Sequence, residues 1–154
     1  MKLRRGLRGL VWILVIGFMV IQFFPPQSNS GESSSAVDFM EITSPPPEII
    51  KLIAASCYDC HSNQTKYPWY SKVQPFGWLL QDHIDKGKAA LNFSEYGEYS
   101  GRRKRMKLKS SISQIENGEM PLFSYRLMHS EARLSEQERQ ELIDFLTMLK
   151  DKLE

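Results

Sequence analysis

Residues 57–61 read Cys57-Tyr58-Asp59-Cys60-His61. Cysteines three positions apart on a helical turn lie on one face. Both can then reach the two vinyl groups of a single haem, and the histidine that follows is placed to ligate the iron from below the ring. On this reading Cys57 and Cys60 fix one haem c through thioethers, and His61 is the proximal iron ligand. Other chemistries compete for the same residues. Zinc would take Cys57 and Cys60 with His83 or His129, but no second ligand pair is present at zinc spacing. A thioredoxin-like dithiol needs a βαβ setting, and no segment alternates as a strand. A plain disulfide would leave His61 as an ordinary surface histidine.

An electron-carrying haem needs a sixth ligand, and a methionine sulfur raises its potential relative to a second histidine. Met120 fits: it follows a helix stop at Asn117-Gly118, precedes Pro121, and stands shortly before the terminal helix. Pro121 stiffens the loop that would hold the sulfur. The arrangement resembles the small soluble cytochromes c, in which a Met-Pro pair on a loop supplies the distal sulfur. The main rival is His83, in Gln81-Asp82-His83-Ile84; Met128, His129 and an open, five-coordinate iron complete the alternatives, and Met120 as plain core filler is the bland one.

These residues need helices to hold them. Pro47 opens a helix whose apolar residues Ile49, Ile50, Leu52 and Ile53 lead directly into Cys57. A loop-like aromatic stretch, Tyr67-Pro68-Trp69-Tyr70, precedes a helix over about 75–85, with Gly87 as its end. Another helix is expected over about 101–116, stopped by Asn117-Gly118. Ser135 and Glu138 form a capping box for the last helix, where Leu142, Phe145, Leu146 and Leu149 recur at helical spacing. A buried macrocycle would give Ile49, Ile53, Trp69, Trp78, Phe93, Phe123, Tyr125 and Leu146 apolar surface to pack against, which matters in so small a domain.

Lys2, Arg4, Arg5 and Arg8 precede an apolar run from Gly9 to Phe24, broken only by Gln22. Bases resist crossing a bilayer, so the run is expected to insert with its N-terminus in the cytoplasm and to send the remaining chain outward. At 16 residues it is short for a spanning helix of about 20 and long for a signal-peptide core of about 7–15. An uncleaved anchor over 1–24 is the reading taken, with a cleaved signal as the alternative. Residues 25–45, rich in serine and ending at Pro45, read as a flexible linker, which leaves 46–154 as the folded domain.

The chain has 154 residues, 42% of them hydrophobic, enough for one modest domain and too many for wholesale disorder. Beyond residue 30 there are 16 bases against 18 acids, and this balance gives no support to nucleic-acid binding. The bases are locally clustered, however: Arg102, Arg103, Lys104, Arg105, Lys107 and Lys109 fall within eight positions. They read either as a solvated helix face or as a docking patch for an acidic redox partner or anionic lipid.

Several separated stretches also resemble the bacterial haem-binding domain family: Cys57 through Thr65, Tyr67-Pro68-Trp69-Tyr70, Leu91-Asn92-Phe93-Ser94 and Met120-Pro121-Leu122. The resemblance spans nearly all of 46–149. It implies a small exported protein with one c-type haem site, often behind an N-terminal anchor, and it names neither partner nor substrate.

Together these readings predict an all-α, cytochrome c-like domain wrapped around one covalent haem, behind a single transmembrane helix of the inner membrane and facing the periplasm. Its expected role is one-electron transfer to or from redox partner proteins. A peroxidase-like haem enzyme, or a haem-based sensor with a displaceable sixth ligand, is the alternative. No acid–base pair beside a substrate site argues for catalysis.

Overall fold

The computed structural model describes residues 2–31 and 34–153. Ser33 of the expected linker and the side chains of Lys2, Arg4 and Arg5 lie outside the described residues. Among the described residues eight α-helices follow one another: α1 (Lys2–Ile21), α2 (Phe39–Thr43), α3 (Pro47–Ser56), α4 (Tyr58–His61), α5 (Phe76–Ala90), α6 (Gly101–Glu116), α7 (Phe123–Met128) and α8 (Glu136–Asp151). Short 3-10 turns cover Ser35–Val37, Trp69–Lys72, Phe93–Glu98 and Ser130–Ala132. Among the described residues extended pairing is limited to one isolated antiparallel bridge, Ser30 with Gln64. The all-α expectation holds.

The chain divides into two compact units. One comprises residues 1–28 and 67–83, the other 29–66 and 84–154. The division falls within α5.

In the larger unit, α6 and α8 pack on each other and α3 packs on α8. Each helix begins and ends where local chemistry dictates. Pro47 stands at the first position of α3, where its missing N–H is not needed. Ser100 caps α6, and Gly118, at φ +70°, ends it. At α8, Ser135 and Glu138 satisfy each other's backbone donors as a capping box. The apolar stripes of these helices meet: Ile49 and Ile53 of α3, Leu108 and Ile115 of α6, and Leu142, Ile143, Phe145 and Leu146 of α8 form one buried cluster with Phe93, Tyr96 and Tyr99.

Two expectations need correction. First, the folded part starts well before residue 46. Asp38 caps α2 by accepting from the Met40 amide at 2.9 Å, and Phe39 is fully buried. Its ring lies 4.9 Å from those of both Phe93 and Tyr96. Serine and proline content suggests a tether, but Phe39 lies in the core and Asp38 accepts from Tyr58 Oη at 2.7 Å. Second, Gly87 does not end α5, which continues to Ala90. α1 has 20 residues, of which Gly9–Ile21 is apolar throughout, about 20 Å of helix. Among the described residues, no helix is long and apolar enough to cross a membrane.

Candidate haem site

Cys57 ends α3 and begins α4, and its own backbone (φ −129°, ψ −44°) breaks the helix between them. Its carbonyl then accepts from the amides of Cys60 at 3.2 Å and His61 at 3.0 Å. The two cysteines and the histidine therefore share one short turn, as their spacing predicts. Both cysteines are free thiols, partly buried. Burial pushes the Cys57 thiol up to about 11, with the Ser56 hydroxyl opposing it. Burial also pushes Cys60 up to about 11, helped by Asp59 and Cys57. Such thiols stay protonated at neutral pH, the opposite of an activated redox dithiol.

His61 is held from a distance along the chain. Its Nδ1–H donates to the carbonyl of Leu91 at 3.0 Å, since a carbonyl can only accept. That bond fixes the tautomer with Nε2 unprotonated, the nitrogen through which a histidine held this way can ligate a metal. Burial holds the imidazole below its usual pKa, against the opposing carbonyls of Leu91 and Gly87, and Lys107 lowers it further. The ring is thus neutral and able to ligate at physiological pH.

The segment Leu91-Asn92-Phe93-Ser94 frames the turn. Phe93 stacks on Tyr58 at 5.1 Å and 7°, and meets His61 edge-on at 6.1 Å. Asn92 Nδ2 donates to Asn63 Oδ1 at 3.0 Å, the Asn63 amide donates to Ser94 Oγ at 3.1 Å, and Asn92 Oδ1 accepts from the Ser94 amide at 3.1 Å. These polar groups are buried and mutually satisfied. Gly87 sits against the same turn. A Cβ there would lie 2.6 Å from the Cys60 carbonyl oxygen.

The two residues between the cysteines are tied outward. Tyr58 Oη donates to Asp38 Oδ1 at 2.7 Å, and Asp59 Oδ2 accepts from Tyr125 Oη at 2.7 Å. Burial and the neighbouring carboxylate raise both phenols. Tyr125 brings α7 to the motif and stacks on His129 at 4.0 Å. α7 also carries Phe123 and Leu127, one turn apart, 68% and 57% exposed.

The other predicted positions separate. Met120 is partly buried and packs against the same cluster as Cys57. His83 belongs to the other unit. Of the residues expected to share one apolar pocket, Ile49, Ile53, Phe93 and Leu146 are core, whereas Phe123 is exposed and Trp69 and Trp78 belong to the other unit. Among the described residues, no group of three or more His, Cys, Asp or Glu side chains could hold a metal ion. The donor chemistry fits haem instead: two protonated thiols and a neutral, oriented imidazole on one turn, beside exposed apolar side chains.

Sequence reasoning missed Gly87, the Leu91 carbonyl, the Asn63–Asn92 pair and the tyrosine–aspartate ties. The signal available for Asn92 was its position two residues before Ser94, which is that of a capping side chain.

The basic run is partly structural. Arg103 and Lys107 lie over the ring of Tyr99 at 4.3 and 5.6 Å, and Lys104 lies over Tyr96 at 5.1 Å. Lys107 also donates to the Ala90 carbonyl, placing a cation at the C-terminus of α5. Arg102 and Lys109 remain exposed.

The sequence profile of the haem-binding domain family matches residues 16–148, and the chain belongs to that family. No curated protein and no solved structure matches the chain.

Proposed function

We propose that this haem-binding domain carries one haem c, joined to Cys57 and Cys60, with His61 as proximal ligand and Met120 as distal ligand. Each thiol adds across one vinyl group, sulfur to one carbon and hydrogen to the other, giving two thioethers. The observation that carries the reading is the pairing of the two thiols with an imidazole whose Nδ1 is already engaged by the Leu91 carbonyl at 3.0 Å. When bound, the haem supplies a one-electron couple. The chain's own residues supply its fixation, the orientation of His61 and the burial around it.

The role proposed is electron transfer at the outer face of the inner membrane, in the periplasm, to which the basic and apolar N-terminus directs the chain. Exposed Arg102 and Lys109 are proposed as the docking charges for an acidic redox partner, and an electron-transfer rate that falls with ionic strength checks this. The central experiment is expression in a host with haem-attachment machinery, followed by intact mass and a pyridine haemochrome spectrum. One haem per chain is expected, and bare polypeptide overturns the proposal. For the sixth ligand, the weak far-red band of the oxidised protein should vanish in Met120→Ala and persist in His83→Ala. The reverse pattern removes Met120.

A further inference from the structure

The smaller unit carries a surface that haem binding leaves unexplained. Along α1, Leu10, Trp12, Ile13, Leu14, Ile16 and Met19 are all more than half exposed, so apolar side chains project on every side. A helix apolar all round needs an apolar surrounding. Its C-terminal end is anchored. Gln22 Oε1 accepts from the Gln74 amide at 2.9 Å, and Gln22 Nε2 donates to the Gln74 carbonyl at 3.1 Å. The Trp78 indole N–H donates to the Phe24 carbonyl at 2.7 Å. Gly77 permits this packing, since a Cβ there would lie 2.3 Å from the Ser71 carbonyl oxygen.

This anchoring holds a second set of apolar side chains at the same end of α1. Phe23 and Phe24 are 81% and 64% exposed, Trp69 75%, Phe76 56%, Leu79 52% and Trp78 39%. An exposed aromatic group of this size is unusual on a soluble surface. Tryptophan, with an apolar body and one polar N–H, is enriched at membrane–water interfaces. Residues 67–81 contain no acid and one base, Lys72, a balance compatible with anionic headgroups.

We propose that residues 67–79, together with Phe23 and Phe24, form an aromatic collar in the headgroup layer of a lipid bilayer, around the end of an inserted α1. The occupant of this surface is lipid. The inference rests on the membrane location proposed above and adds a second contact element, remote in sequence from the N-terminus.

The test uses the full-length holoprotein in phosphatidylethanolamine–phosphatidylglycerol vesicles that contain a phospholipid with a photoactivatable diazirine near its headgroup. Peptide mass mapping after illumination should find lipid adducts on 67–83 as well as on α1. The Phe76→Ser/Leu79→Ser variant should lose the adducts on 67–83 and keep those on α1. Adducts confined to α1 overturn the collar and leave the membrane location standing. Adducts on 67–83 that persist in the variant reflect random collision and also overturn the collar. No adducts anywhere overturn the membrane location itself.

Discussion

Replacing Gly87 by alanine tests whether α5 supports the Cys57–His61 turn, the proposed site of haem attachment. The new Cβ would stand 2.6 Å from the Cys60 carbonyl oxygen, 3.2 Å from its carbon and 3.3 Å from Cys60 Cβ. Ordinary contact begins at 3.4 Å, so the closest approach is short by about 0.8 Å. The obstacle is backbone, in a turn fixed by the Cys57 carbonyl, and cannot rotate away as a side-chain tip could. Alanine gains about 1 kcal/mol in helix propensity. Overpacking of this kind costs about 1–3 kcal/mol. Because the obstacle is backbone, the cost falls in the upper part of that range; the net expectation is a loss of about 1–2 kcal/mol, or roughly 2–8 °C in Tm, together with less haem per chain as Cys60 and His61 shift. Gly101→Ala is the control, because nothing lies within 4 Å of its Cβ position; it should be neutral or slightly stabilising. Denaturant unfolding and haem stoichiometry on both variants decide the matter. A Gly87→Ala protein as stable as the parent, with full haem content, would show that α5 does not constrain this turn.

Phe39→Ala should cost about 3–5 kcal/mol in denaturant unfolding, because the ring is fully buried between Phe93 and Tyr96; an unchanged midpoint would restore the view of this segment as a tether. Asn92→Ala removes a buried donor to Asn63 Oδ1 and the acceptor for the Ser94 amide, so a loss of about 1–3 kcal/mol is expected in the same assay. Burial pushes the Tyr96 phenol up to about 12 from an ordinary 10. The folded state thus keeps a proton that the unfolded chain releases, so this contribution is full below pH 10 and is lost as pH rises towards 12. Tyr96→Phe should retain more of its stability over that window, and an alkaline loss identical to that of the parent would count against the assignment.

What could be read from the sequence was what neighbouring residues encode. Proline at the start of α3, the Ser135–Glu138 box, the Asn117-Gly118 stop and the Cys57–His61 spacing each act over a few positions, and each appears where expected. The missed features depend on remote partners. Phe39 is core only because Phe93 and Tyr96 come to meet it. Gly87 looks like a helix stop until Cys60 is seen against it. The exposure of Trp69 and Phe123 is equally invisible in residue type, since an aromatic reads as core by default.

The support of His61 is the deepest case, because its partner is a main-chain carbonyl that any residue at position 91 would supply. No side chain at that position can advertise the contact. What sets the carbonyl's place is the end of α5, where the Leu91 amide donates to the Gly87 carbonyl at 2.8 Å, and the cap at Asn92 that starts the next turn. The orientation of the imidazole is therefore decided by Gly87, Asn92, Asn63 and Ser94, none of which is expected to touch the iron. It follows that variants of these four should shift the haem absorption bands of the proposed holoprotein more than a conservative change at Leu91 itself. The residues proposed to bind the haem are legible from their spacing, whereas those that orient the His61 ring are legible only from the fold.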